Sequence, residues 1–150
     1  MKVLILCTGN SARSQMAEGI LRALSKGEIE VASAGTHPSC VHPLAVEALR
    51  EIGIDISQHR SKSVDEFSGQ RFDVVITVCD RAQESCPVFP GAPKRIHWSY
   101  DDPAAVEGAP EEKLAAFRRV RDDLAVRLSS FLDAVGSADS FPGPSVPRGL

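Results

Sequence analysis

No stretch of this 150-residue chain approaches the roughly 18 apolar residues needed to cross a bilayer. The apolar run from Met1 to Cys7 is too short for the hydrophobic part of a signal peptide, and it ends in a polar loop with no small-residue cleavage site. A soluble, cytoplasmic protein is expected. The chain also lacks a strong charge of either sign: a formal net charge of -3 argues against nucleic acid or an anionic membrane as the main partner. Any anion is therefore bound by local design. Cysteine is sparse, with four residues at positions 7, 40, 79 and 86, too few for a disulfide scaffold. No cysteine pair has the close spacing of a zinc knuckle, and His37, His42, His59 and His97 are scattered, so neither a structural metal nor a cofactor is expected. In a reducing compartment such cysteines point to nucleophilic or redox work.

There is no internal repeat and no second domain. Hydrophobic content of 43% and charged content of 25% are ordinary globular values, and the length suffices for a proper core. One domain over residues 1–136 is expected, with the Pro-, Gly- and Ser-rich residues 137–150 a disordered tail.

What the chain does contain is Cys7-Thr8-Gly9-Asn10-Ser11-Ala12-Arg13-Ser14, directly after the apolar run Val3 to Leu6 and directly before a helical pattern from about Gln15. A loop between a buried strand and a helix start is a natural oxyanion site: the first N–H groups of the helix lack partners, the helix dipole adds positive character, and Gly9 lets the backbone curl closely. Cys7 falls at the floor of such a ring. Arg13 falls at its rim, with a planar fork suited to two oxygens of phosphate or arsenate. The same environment favours thiolate over thiol at Cys7 and makes it a nucleophile. Ser14 can donate to that thiolate, and Asn10 can brace the loop.

The remaining pattern predicts an α/β fold. Residues 3–7 read as a buried strand, Gln15 to Ser25 as a helix, and Glu28 to Ser33 as a second strand, which together make a βαβ unit. Pro43 starts a helix with Leu44, Ala45, Ala48, Leu49 and Ile52 on its apolar side; Val64 to Phe67 is a short helix after an irregular stretch. Phe72 to Cys79 is a second strongly apolar strand, which places Cys79 on the same sheet edge as Cys7. Residues 80–91 are irregular or at most one or two helical turns, and Arg95 to Trp98 is a short strand. Pro110 to Val135 is an amphipathic helix on Leu114, Phe117, Val120, Leu124, Leu128 and Phe131. The order predicts an open parallel sheet of about four strands with helices on both faces.

The segment Cys7 to Glu18 resembles the phosphate-binding loop of low-molecular-weight tyrosine phosphatases and of the arsenate reductases built on that fold. Three further features are similar to the reductases: Cys79 and Cys86 with six residues between them, Cys86-Pro87 followed by Pro90, and His97-Trp98-Ser99-Tyr100-Asp101-Asp102-Pro103-Ala104. The likeness covers roughly residues 2–134 and is to the thioredoxin-coupled arsenate reductases.

That resemblance implies arsenate as substrate, with phosphate or sulfate as competing oxyanions. Arsenate would sit in the loop Thr8 to Ser14 while Cys7 attacks arsenic and Asp102 protonates the departing oxygen. An aspartate before Pro103 is also suited to cap the loop, a part Asp101 fits equally well. Cys79 would then attack Cys7, release arsenite and leave a Cys7–Cys79 disulfide; Cys86 would attack Cys79, and thioredoxin would reduce the resulting Cys79–Cys86 pair. If residues 79–86 are helical, these Cα atoms lie on the order of 10 Å apart, beyond the roughly 7 Å limit of a disulfide. A switch in residues 80–93 is therefore expected on oxidation. Cys40 matches no catalytic position and reads as a spare thiol. Some relatives bind potassium beside the loop; Asn10, Glu18 and Ser33 match that site, but Lys62 stands in place of an acidic ligand, so its ammonium is expected to substitute for the ion.

Two other functions fit the loop. A low-molecular-weight tyrosine phosphatase needs it and an aspartate but neither Cys79 nor Cys86. A non-catalytic oxyanion-binding module needs no nucleophile at all. Glutaredoxin and mycothiol are alternatives to thioredoxin as reductant, and a monomer is the expected state.

Overall fold

The structure is a computed structural model and describes residues 1–84, 86–91 and 93–139. Four strands, β1 (Lys2–Cys7), β2 (Glu30–Gly35), β3 (Val74–Thr77) and β4 (Lys94–His97), alternate with four α-helices, α1 (Arg13–Leu24), α2 (Pro43–Arg50), α3 (Asp80–Glu84) and α4 (Pro110–Asp139). Short 3₁₀ turns cover Val64–Phe67 and Pro103–Ala105.

All strand pairs are parallel, in the order β2-β1-β3-β4. In β1 and β3 successive side chains are buried whichever way they point, from Val3 to Cys7 and from Val74 to Thr77. With a side-chain period of two, that means helices cover both faces, as expected of a parallel sheet. The register pairs Cys7 with Gly35, Leu6 with Thr77 and Thr77 with His97. Every loop that carries chemistry therefore leaves from one edge. Connections run from β1 outward to β2 and then back past it to β3, so the edge beyond β1 and β3 is a topological switch point, where open α/β sheets form ligand crevices.

The helices meet their expected places with shifts that have local causes. α1 starts at Arg13, two residues before Gln15, and closes where Lys26 and Gly27 take positive φ of 54° and 78°. Leu24 is its last residue and is 42% exposed; Ile52 lies past the end of α2 and is 45% exposed, so neither belongs to the core. On α4 the buried row is Phe117, Arg121, Leu124, Leu128 and Phe131, with Val120 only half-buried. Arg121 fits an apolar row because its Nη1 donates to Ala48 O at 2.9 Å and Glu51 Oε1 at 2.8 Å, tying α4 to the end of α2. Arg118 and Arg121 together hold the Glu51 carboxyl down to about 2. α4 continues to Asp139, past the boundary expected at 136, and the tail expected to be disordered lies, from residue 140 on, outside the described residues. No helix among the described residues is long and apolar enough to cross a membrane.

Candidate active site

The loop after β1 is held from outside by its carbonyls. Cys7 O accepts from Thr36 N, Thr8 O from His37 N, Gly9 O from Ser39 N, and Ser11 O from His42 N, at 2.8–3.2 Å. In a trans peptide the N–H points opposite to the C=O, so these bonds turn the N–H groups of Thr8, Gly9, Asn10 and Ala12 the other way. Among the described residues no protein group accepts from Gly9, Asn10, Ser11 or Ala12 N–H. Ala12 precedes α1 without a side-chain cap, which leaves the helix start open as well. A cavity of about 320 Å³ opens there, walled by Cys7, Thr8, Gly9, Ser11, Ala12, Arg13, Ser39, Asp102 and Ala104.

The nucleophile and its brace are buried. Cys7 is 1% exposed, and its Sγ lies 2.8 Å from Ser14 Oγ, which also accepts from Asn10 Nδ2 at 2.8 Å. A Cys7 thiolate can only accept, and toward it the Ser14 hydroxyl donates while its oxygen accepts from Asn10. Asn10 adopts φ +47°, a conformation asparagine tolerates better than most side chains, and its amide reaches Ser33 Oγ at 2.9 Å. Ser33 in turn donates to Glu18, whose carboxylate is met by Arg22 at 2.6 Å and by Lys62 Nζ at 3.9 Å. Burial pushes the Lys62 ammonium below its ordinary value, with Glu18 opposing. The expected arrangement of Asn10, Glu18, Ser33 and Lys62 around the underside of the loop is thus a connected one.

Sequence reasoning missed two supports. Gln15 is fully buried, and its Nε2 donates to Asn10 Oδ1 at 2.9 Å and Arg60 O at 3.0 Å, with His59 Nδ1 3.0 Å from its Oε1. Gly35 faces the loop so closely that a Cβ would meet Thr8 O at 2.5 Å and Asn10 N at 2.9 Å. Both obstacles are backbone, so Gly35→Ala must displace the loop. We expect it to lower stability by about 1–3 kcal/mol and to weaken the thermal stabilisation given by sulfate, both read by thermal unfolding with and without the anion.

Arg13 stands at the rim, its Nη1 donating to Tyr100 O at 2.9 Å. The contact ties the loop to the segment after β4. Asp102 lines the Cys7 cavity and also caps the following 3₁₀ turn by accepting from Ala104 N at 2.9 Å. Asp101 lines the neighbouring outer cleft, with Thr8, Arg13, Cys79 and Asp102, but not the Cys7 cavity, so the two aspartates are distinguished by position. Cys79 is buried beside the loop, with Thr8 Oγ1 3.3 Å and Ala82 N 3.4 Å from its Sγ. Cys86 is half-buried past the end of α3, and Cys40 is exposed.

Residues 2–140 match the model of the low molecular weight phosphotyrosine protein phosphatases. The chain belongs to that family. It is 47% identical over 131 residues to an arsenate reductase of Halalkalibacterium halodurans, an alignment covering 87% of this chain and 94% of the relative. Among solved structures, an arsenate reductase in the oxidized state superposes with a TM-score of 0.75 at 34% identity, over 89% of this chain and 98% of that one. A thioredoxin-dependent arsenate reductase of Corynebacterium glutamicum gives 0.71 at 27% identity, over 91% of this chain and 62% of that one.

Two histidines of this family member make its stability depend on pH. Burial pushes His59 down, with Arg22 and Lys62 adding to that and Glu18 opposing; burial likewise pushes His42 down against the pull of Asp102. His42 Nδ1 caps α2 by accepting from Leu44 N at 3.0 Å, which protonation there would abolish. In the unfolded chain both protonate near 6.5, before they do so in the folded one. The unfolded state then binds more protons, so stability is full above about pH 6.5 and falls as pH drops through the folded values. We expect the melting temperature to decline from pH 7 to 5.5, and the double variant His42→Asn, His59→Gln to show a shallower slope.

Proposed function

We propose that the chain is an arsenate reductase working through Cys7, Cys79 and Cys86, with thioredoxin as reductant, in the cytoplasm where thiols are kept reduced. The observation that carries this reading is the position of Cys79. A second thiol bonded to Thr8, the residue next to the nucleophile, has no part in ester hydrolysis but is what reduction requires.

Arsenate is held by the N–H groups of Gly9 to Ala12 and by the Arg13 fork. The Cys7 thiolate, stabilised by Ser14, attacks arsenic, and Asp102 delivers a proton to the oxygen that leaves as water. Cys79 then attacks the Cys7 sulfur: a Cys7–Cys79 bond forms, the sulfur–arsenic bond breaks, and its electron pair takes arsenic from the pentavalent to the trivalent state as arsenite. Thr8 Oγ1 and the amide of Ala82, which donates to the Cys79 sulfur, hold that sulfur beside the loop. Cys86 attacks Cys79 and frees Cys7, and thioredoxin reduces the Cys79–Cys86 disulfide. Every group needed comes from one chain, which suits a monomer. The underside network with Lys62 beside Glu18 supplies its own cation, so the loop needs no metal.

Cys7, Arg13 and Asp102 around one cavity also favour a slow phosphatase activity, because phosphate and arsenate share shape and charge. The test of the main reading is NADPH consumption with arsenate, thioredoxin and thioredoxin reductase. Turnover that requires all three proteins and arsenate supports it; rapid ester cleavage with no arsenate-dependent NADPH oxidation would overturn it.

A further inference from the structure

Arg95 and His97 stand two residues apart on β4 and so share one face of the strand. Between them they hold both ends of the segment joining Cys79 to Cys86. At its start, His97 Nε2 lies 2.8 Å from Oδ1 of Asp80, the first residue of α3, while His97 Nδ1 lies 2.7 Å from Thr77 Oγ1. A carboxylate only accepts, so Nε2 carries the proton in that contact. At the far end, Arg95 Nη1 donates to Cys86 Sγ and Nη2 to Pro87 O, each at 2.8 Å. Cys79 meanwhile has its contacts with Thr8 of the loop and with the Ala82 amide of α3. The two sulfurs are thus kept on separate partners.

We propose that Arg95 is a positioning residue that latches the reduced form of the Cys79/Cys86 couple. The inference rests on the three-cysteine relay proposed above. In the exchange step the Cys86 thiolate attacks the Cys79 sulfur of the Cys7–Cys79 disulfide; the 7–79 bond breaks, the 79–86 bond forms, and Cys7 leaves as thiolate. The Cys86 proton goes to solvent, and the exchange involves no net change in electrons. A disulfide sulfur carries no charge and accepts from a guanidinium N–H more weakly than a thiolate does, and Cys86 must leave Arg95 to reach Cys79. Both bonds of Arg95 to Cys86 and Pro87 therefore belong to the reduced state. The latch biases the couple toward the dithiol, and so favours its resetting by thioredoxin after each cycle.

The test is the equilibrium of the Cys79/Cys86 couple with glutathione, in the full chain carrying Cys7→Ser so that no other relay disulfide forms, with the bond located by peptide mass spectrometry. Adding Arg95→Gln is expected to raise the equilibrium constant for disulfide formation about tenfold, which is about 30 mV more negative for a two-electron couple. Arg95→Lys keeps the charge but not both contacts, and falls between. Lys94→Gln removes a neighbouring charge on the other face of β4 and leaves the constant unchanged. An Arg95→Gln constant equal to or below that of the parent overturns the latch, as does an equal shift from Lys94→Gln. Failure of the parent to form any Cys79–Cys86 disulfide overturns the relay itself, and the latch with it.

Discussion

Replacing Cys79 by serine is expected to lower thioredoxin-coupled arsenate turnover on the order of a thousandfold or more, and to leave phosphate-ester cleavage within about threefold of the wild type. The serine hydroxyl retains a partner in Thr8, whose Oγ1 lies 3.3 Å from the present sulfur, so the loop keeps its shape. What is lost is the second thiol. The adduct on Cys7 then has no sulfur to attack it, and water returns it to arsenate. Ester cleavage uses Cys7, Arg13 and Asp102, which line one cavity that Cys79 does not wall. Steady-state kcat/KM for both substrates measures the contrast. Equal losses in the two reactions would mean that Cys79 supports the loop instead of carrying electrons.

Arg13→Lys is expected to cost both reactions alike, by about 10²- to 10³-fold, the usual loss when a donor to a developing oxyanion is removed. A lysine ammonium is a point charge and cannot present two parallel N–H groups to two oxygens. It would also give up the bond from Arg13 Nη1 to Tyr100 O, which ties the loop to the segment bearing Asp102. The two substitutions separate the parts of the site: Arg13 acts on any tetrahedral oxyanion, whereas Cys79 matters only when electrons must move. Parallel kcat/KM measurements on arsenate and a phosphate ester check this.

The loop was legible in the sequence because its chemistry is local. Gly9, the small polar residues and the helix start are contiguous, and the apolar run before them identifies the strand. The parallel sheet followed from Val3 to Leu6 and Val74 to Ile76, whose unbroken apolarity marks burial on both faces. The supports were not legible, since most of them join residues about 25 to 73 apart in the chain. Gln15 reads as an ordinary first-turn helix residue until Arg60 O and His59 are brought beside it. Gly35 looks like a turn glycine, although its value lies in how near Thr8 O and Asn10 N pass. Arg121 broke the apolar row expected on α4 because its charge is met by Ala48 O and Glu51, groups on another helix. Arg95 reads only as a strand residue, and its contact with Cys86 Sγ emerges from the fold of the segment between them.

The relay is tested most directly by a single turnover of the Cys86→Ser protein, reduced beforehand and mixed with excess arsenate without thioredoxin. One arsenite per protein molecule is expected, with the Cys7–Cys79 disulfide recovered in the same proportion by peptide mass spectrometry. Arsenite released while Cys7 and Cys79 remain thiols, or no arsenite at all, would contradict it.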